Sequence, residues 1–64
     1  MAFSDNVKKY REKQGYSQEE LAKYLGIAQA QIAKYETGVT VPNIVIGVKL
    51  AQRLGTTCEK LVEG

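Results

Sequence analysis

Between Gln18 and Thr37 the apolar positions Leu21, Leu25, Ile27, Ile32 and Tyr35 predict two short helices broken at Gly26, with the small Ala22 where the helices would cross. That is a helix-turn-helix pattern. Ser17 opens it with a capping box: its hydroxyl can accept the Glu20 amide while the Glu20 carboxylate reaches back to the Ser17 amide. Leu21 and Leu25 fall on one face, and Gly26 can take the left-handed conformation that closes the helix. The next helix is expected from about Ala28, with Ile32 and Tyr35 turned inward and Gln29, Ala30, Gln31, Ala33 and Lys34 turned outward.

The same periodicity places three further helices. Val7, Tyr10, Arg11 and Gln14 share a face of a helix expected over residues 5–14, with Ser4 as its cap, Asp5 in its first turn and Gly15 as its stop. Its lysines, Lys8, Lys9 and Lys13, read mainly as solvated surface. After a loop closed by Pro42, Asn43 can cap a helix running to about Leu54, on which Ile44, Gly47, Val48, Leu50, Ala51 and Leu54 are expected inward. Lys49, Gln52 and Arg53 then face solvent together with Val45 and Ile46. Adjacent exposed β-branched residues have no core reason to be there, so Val45 and Ile46, with Val62 near the C-terminus, are candidates for a dimer contact. Thr57 can cap a short last helix over residues 58–63, with Cys58 and Leu61 expected in the core.

Sixty-four residues make one domain, which buries only about 60% of its unfolded surface. A net charge of +2 permits a nucleic-acid partner without demanding one. One cysteine and no histidine exclude a zinc site, an internal disulfide and an imidazole base. No carboxylate pair or phosphate-cradling glycine loop suggests an enzyme, so no catalytic residue, metal, cofactor or small-molecule ligand is expected. The N-terminus lacks a basic segment followed by an apolar stretch, and residues 44–48 are too short to span a bilayer, which leads to the expectation of a soluble, cytoplasmic protein without a membrane partner.

The run from Ser17 to Gly38, SQEELAKYLGIAQAQIAKYETG, resembles the helix-turn-helix of the Cro/repressor, or Xre-like, class of bacterial and phage transcription regulators. The likeness extends upstream through residues 7–15 and downstream from Pro42-Asn43 to Leu54-Gly55, and so covers nearly the whole chain. It implies an all-α, five-helix lambda-repressor-like DNA-binding domain over residues 1–64. It also implies a sequence-specific transcriptional regulator, expected to repress, that inserts the helix over about residues 28–37 into the major groove of a palindromic operator as a homodimer.

At the level of residues, the resemblance implies an ion pair between Arg11 and Glu36 and a base-reading role for Gln29, whose amide can pair with adenine N6 and N7. Gln31, Lys34 and Ala30 lie on the same outward face, where the alanine methyl can meet a thymine methyl. Gln18 and Asn43, at helix N-termini, are expected at phosphates, and Arg11 could offer a spare donor to one. Three departures stand out: Ala28 where the family has a capping Ser or Thr, the uncharged Val39-Thr40-Val41 where the loop is usually basic, and Gly47 where a larger apolar residue is usual. The mid-helix glycine lowers helix stability by about 1 kcal/mol relative to alanine. An alanine-rich helix and an uncharged loop leave open an alternative, a protein-interaction module of the same fold such as an antitoxin-like or polymerase-binding adaptor.

Overall fold

The computed structural model describes residues 2–63. Its elements are α1 (Ala2–Gln14), α2 (Gln18–Leu25), α3 (Gln29–Thr37), α4 (Ile44–Arg53) and α5 (Cys58–Glu63), with no strand among the described residues. The all-α, five-helix expectation holds. Helix α3 packs against α1 and α2, while α5 packs against α1 and α4, and α4 also touches α2. Val7, Leu21, Ile32, Leu50, Leu54 and Leu61 are fully buried, so every helix sends at least one aliphatic anchor into a common core or ends on one. Each such side chain removed from water stabilises the fold by about 1.5–3 kcal/mol before chain entropy is counted.

Helix α1 starts earlier than its polar residues suggest. Phe3 is buried one turn before Val7, and that apolar anchor draws the helix back to Ala2. Ser4 is therefore a buried residue inside the helix rather than its cap. Asn6 is buried as well, and its Nδ2 donates to the carbonyls of Lys60 at 3.2 Å and Leu61 at 2.9 Å, satisfying oxygens that the short α5 cannot pair within itself. Gln14 does the same for α4, its Nε2 donating to the Leu54 carbonyl at 3.2 Å.

On α4 the expected inward face is corrected. Ile46 is half-buried and packs on the core with Leu50, Ala51 and Leu54, whereas Ile44 is 80% and Val48 41% exposed. At 3.6 residues per turn Val48 is rotated roughly 160° and Ile44 roughly 120° from Leu50, so neither can follow the strip that Leu50 and Leu54 define. Of the dimer candidates, Ile46 thus serves the core, while Val45 and Val62 are exposed. Cys58 is exposed too, contrary to expectation: α5 is anchored by Leu61, and its first residue stands at the rim of an apolar groove. At Gly47 a methyl group would meet, among the described residues, only Pro42 Cγ, at 4.0 Å, so no contact there requires glycine.

Candidate nucleic-acid interface

The joint between α2 and α3 is built from local chemistry. Ser17 is extended (φ −79°, ψ 164°), its Oγ accepts the Glu20 N–H at 3.0 Å, and Glu20 Oε1 accepts the Ser17 N–H at 2.8 Å. These bonds, the one from the Ser17 backbone foremost, hold the Glu20 carboxyl below the usual glutamate range. Gly26 ends α2 in the left-handed region (φ 72°, ψ 29°), which sends the chain sharply into α3, and Ile27 N–H returns to the Ala22 carbonyl at 3.0 Å. Ala28 precedes α3 in an extended conformation (φ −75°, ψ 148°) and supplies no side-chain cap, as its identity predicts.

Helix α3 turns Ile32 and Tyr35 into the core and leaves Gln29, Ala30, Gln31 and Lys34 exposed, with Ala33 half-buried. All four expected base-reading residues are therefore exposed, Ala30, Gln31 and Lys34 within about 100° of one another and Gln29 roughly 100° further round. Gln29 is the first residue of the helix and borders a depression of about 540 Å³ shared with Glu19 and Lys23 of α2.

The far end of α3 is tied down by side chains. Arg11 Nε donates to Glu36 Oε2 at 2.5 Å, Nη2 donates to Oε1 at 3.1 Å, and Nη1 donates to the Tyr16 carbonyl at 2.7 Å. The hydrogen bond to Glu36 raises the Arg11 pKa further above its ordinary value. Both side chains are shielded, 11% exposed for Arg11 and 3% for Glu36, so the pair lies mostly out of water. Gln18 joins it, its Nε2 donating to Glu36 Oε1 at 3.1 Å. Glu36 thus receives donors from α1 and α2 while sitting on α3.

The other expected phosphate contacts are placed differently from one another. Gln18 is the first residue of α2 with its amide directed at Glu36, and Arg11 spends its three nitrogens inside the domain. Asn43 is exposed and caps α4, its Oδ1 accepting the Ile46 N–H at 2.9 Å. The link from Gln18 to Glu36 has no local sequence signal, because only the crossing of α2 and α3 brings those groups together; the Tyr16 carbonyl reaches Arg11 through the turn after α1, where the Tyr16 N–H also donates to the Arg11 carbonyl at 3.1 Å. The loop between α3 and α4 presents Val39 and Val41 to solvent. Among the described residues no cluster could hold a metal ion, and no helix is long and apolar enough to cross a membrane.

This arrangement has counterparts. The chain is 37% identical over 62 residues to the SPbeta prophage-derived uncharacterized HTH-type transcriptional regulator YonR of Bacillus subtilis (strain 168), covering 97% of this chain and 57% of that protein. The chain therefore spans little more than half the length of that relative. Its fold matches the biofilm master regulator SinR in complex with DNA, at a TM-score of 0.86 and 29% identity, covering 95% of this chain and 98% of that one. The P22 c2 repressor bound to a synthetic operator shares the fold at a TM-score of 0.94, with 23% identity over 100% of this chain and 97% of that one. The helix-turn-helix family profile matches residues 7–61, and the chain belongs to that family of DNA-binding transcriptional regulators, in its Cro/repressor or Xre-like branch.

Proposed function

We propose that this domain represses transcription by placing α3 in the major groove of a two-fold operator, where Gln29 pairs with adenine and Gln31, Lys34 and Ala30 complete the base contacts. The observation that carries this reading is the outward face of α3, four exposed residues on a helix whose inward face is buried and whose end is held through Glu36 by α1 and α2. The DNA-bound relative SinR supports it. Phosphates are met at the N-termini of α2 and α4, beside Gln18 and Asn43, where free amides and the helix dipole favour an anion. Arg11 acts by fixing the position of α3. The working compartment is that of bacterial DNA, the cytoplasm.

One recognition helix covers few base pairs, and a homodimer doubles the site. Supporting it is an apolar groove of about 420 Å³ between the α3–α4 loop, α4 and α5, bordered by Val41, Ile44, Gly47, Cys58 and Val62. Val45 adds a further exposed apolar side chain nearby on α4. The uncharged loop at Val39 and Val41 favours a second reading, in which this surface receives a different protein in an adaptor-like role. The deciding experiment is selection of binding sites from random duplex DNA, followed by fluorescence anisotropy on the selected site and on one half of it. A defined two-fold motif bound more tightly than its half supports the proposal. Absence of any enriched motif overturns it in favour of the adaptor.

A further inference from the structure

Arg53, in the last turn of α4, is held in a manner opposite to Arg11. Its guanidinium carbon lies over the Tyr24 ring, 4.1 Å from the centroid, and over the Tyr16 ring at 4.9 Å. No hydrogen bond or ion pair to it occurs among the described residues, and its Nε is shut off from solvent without a partner. Arg11 gives every nitrogen to an oxygen, whereas Arg53 gives its flat face to aromatic rings and leaves its donor edge unused. The reachable part is the Nη1 and Nη2 end, which is not shut off and makes no bond among the described residues; two such donors fit a carboxylate, and the rings hold them in place before any ligand arrives. The Glu20 carboxylate, one turn before Tyr24 on α2, is committed to Ser17.

The position of the stack narrows the partner. Glu19 and Lys23 border the depression beside Gln29, on the α3 side of α2. Tyr24 is one residue on, roughly 100° round the helix, and touches α4 through Arg53. Tyr16, Tyr24 and Arg53 all lie outside α3, so a ligand on the stack engages α2 and α4 rather than the base-reading helix itself. Tyr24 is 59% exposed, and an ordered tyrosine beside an arginine is the composition of protein–protein hot spots, with the side-chain ordering already in place. We propose that the Tyr16–Arg53–Tyr24 stack is a docking point for an Asp or Glu side chain presented by another protein.

The test is a nuclear magnetic resonance titration of the isotopically labelled chain with an end-capped hexaglutamate peptide, following the Arg53 Nε–H and the Tyr24 ring signals. Saturable movement of both is expected, abolished by Arg53→Gln, weakened about tenfold by Tyr24→Leu and kept by Tyr24→Phe. If Arg53→Gln does not keep its dispersed spectrum, the wild-type and Tyr24 titrations decide. Unmoved Arg53 signals overturn the proposal, as does equal movement with inorganic phosphate at the same concentration, which makes the site a general anion site. A shallower salt dependence of DNA binding in Arg53→Gln also overturns it, since Arg53 would then be a phosphate contact. The peptide and phosphate titrations do not depend on whether the α3 face reads DNA.

Discussion

Glu36 accepts the Nε–H of Arg11 at 2.5 Å, and this contact joins the last turn of α1 to the last turn of α3 across 25 residues of sequence. Because the Nη2 and Gln18 Nε2 bonds converge on the same carboxylate, removing its charge leaves a shielded guanidinium without a counter-ion. Glu36→Gln should lower stability by about 1–3 kcal/mol, the range for a charge-assisted hydrogen bond. An unchanged urea midpoint would show that the pair contributes nothing net.

The capping box gives an acid-side prediction. Glu20 has a lowered pKa in the folded domain, so its stabilising effect is present above the unfolded carboxyl's titration and is lost as pH falls through the folded value. Thermal stability of the wild type should therefore fall on acidification more than that of Glu20→Gln, and the two curves should converge at low pH. Ser17→Ala should lower stability by about 1 kcal/mol and remove most of the difference between them. Parallel pH curves for wild type and Glu20→Gln contradict the assignment.

Ala28 sits in the backbone conformation of an N-cap without the oxygen an N-cap uses. Ala28→Ser should add an acceptor for the first turn of α3 and raise stability by about 1 kcal/mol. Chemical denaturation measures it. A loss of stability would mean that the added hydroxyl meets a conflict rather than an amide.

What could be read from the sequence was local. The capping box at Ser17, the left-handed Gly26, the Asn43 cap and the inward Ile32 and Tyr35 each depend on residues within one or two turns, and all stand as expected. The Arg11–Glu36 pair spans 25 residues and came from the family resemblance rather than from any local pattern. Helix α4 departs from its expected face because Ile44, Val45, Ile46 and Val48 are all apolar, and a run that is apolar on every side does not say which side is buried. Leu50 and Leu54 settle that only once the other helices surround them. Cys58 fails for a related reason: helical spacing relates it to Leu61, but at the first position of a short helix no neighbour covers it. The stack of Arg53 with Tyr16 and Tyr24 joins three segments and has no sequence signature at all.

Gly47 separates fold stability from dimer formation. Among the described residues a methyl there meets only Pro42 Cγ at 4.0 Å, so Gly47→Ala should raise stability by about 1 kcal/mol through helix propensity alone. Gly47→Leu should instead fill the groove beside Ile44 and Val62, leaving the monomer folded while weakening self-association. Light scattering at rising concentration checks it, and Ile44→Glu, at the border of the same groove, should weaken self-association as well. A wild type that remains monomeric both free and on a two-fold site removes the homodimer.

Gln29 and Gln18 should differ in kind when altered. Gln29 is exposed at the first position of α3 and its side chain makes no hydrogen bond among the described residues, so Gln29→Ala should leave stability nearly unchanged. On DNA it should relax preference at one operator position, costing about 1–3 kcal/mol of discrimination, the worth of one bidentate base contact. Gln18 instead stands at the start of α2 with its amide on Glu36. Gln18→Ala should therefore lower both stability and affinity, and the affinity loss should be about equal for operator and unrelated DNA, because a phosphate contact and a loosened α3 carry no base identity of their own. Comparing selected site motifs for the two variants, at matched salt, separates these effects. If Gln29→Ala selects the same motif as the wild type, base reading lies with Gln31, Lys34 and Ala30, and the first residue of α3 is only a soluble helix former.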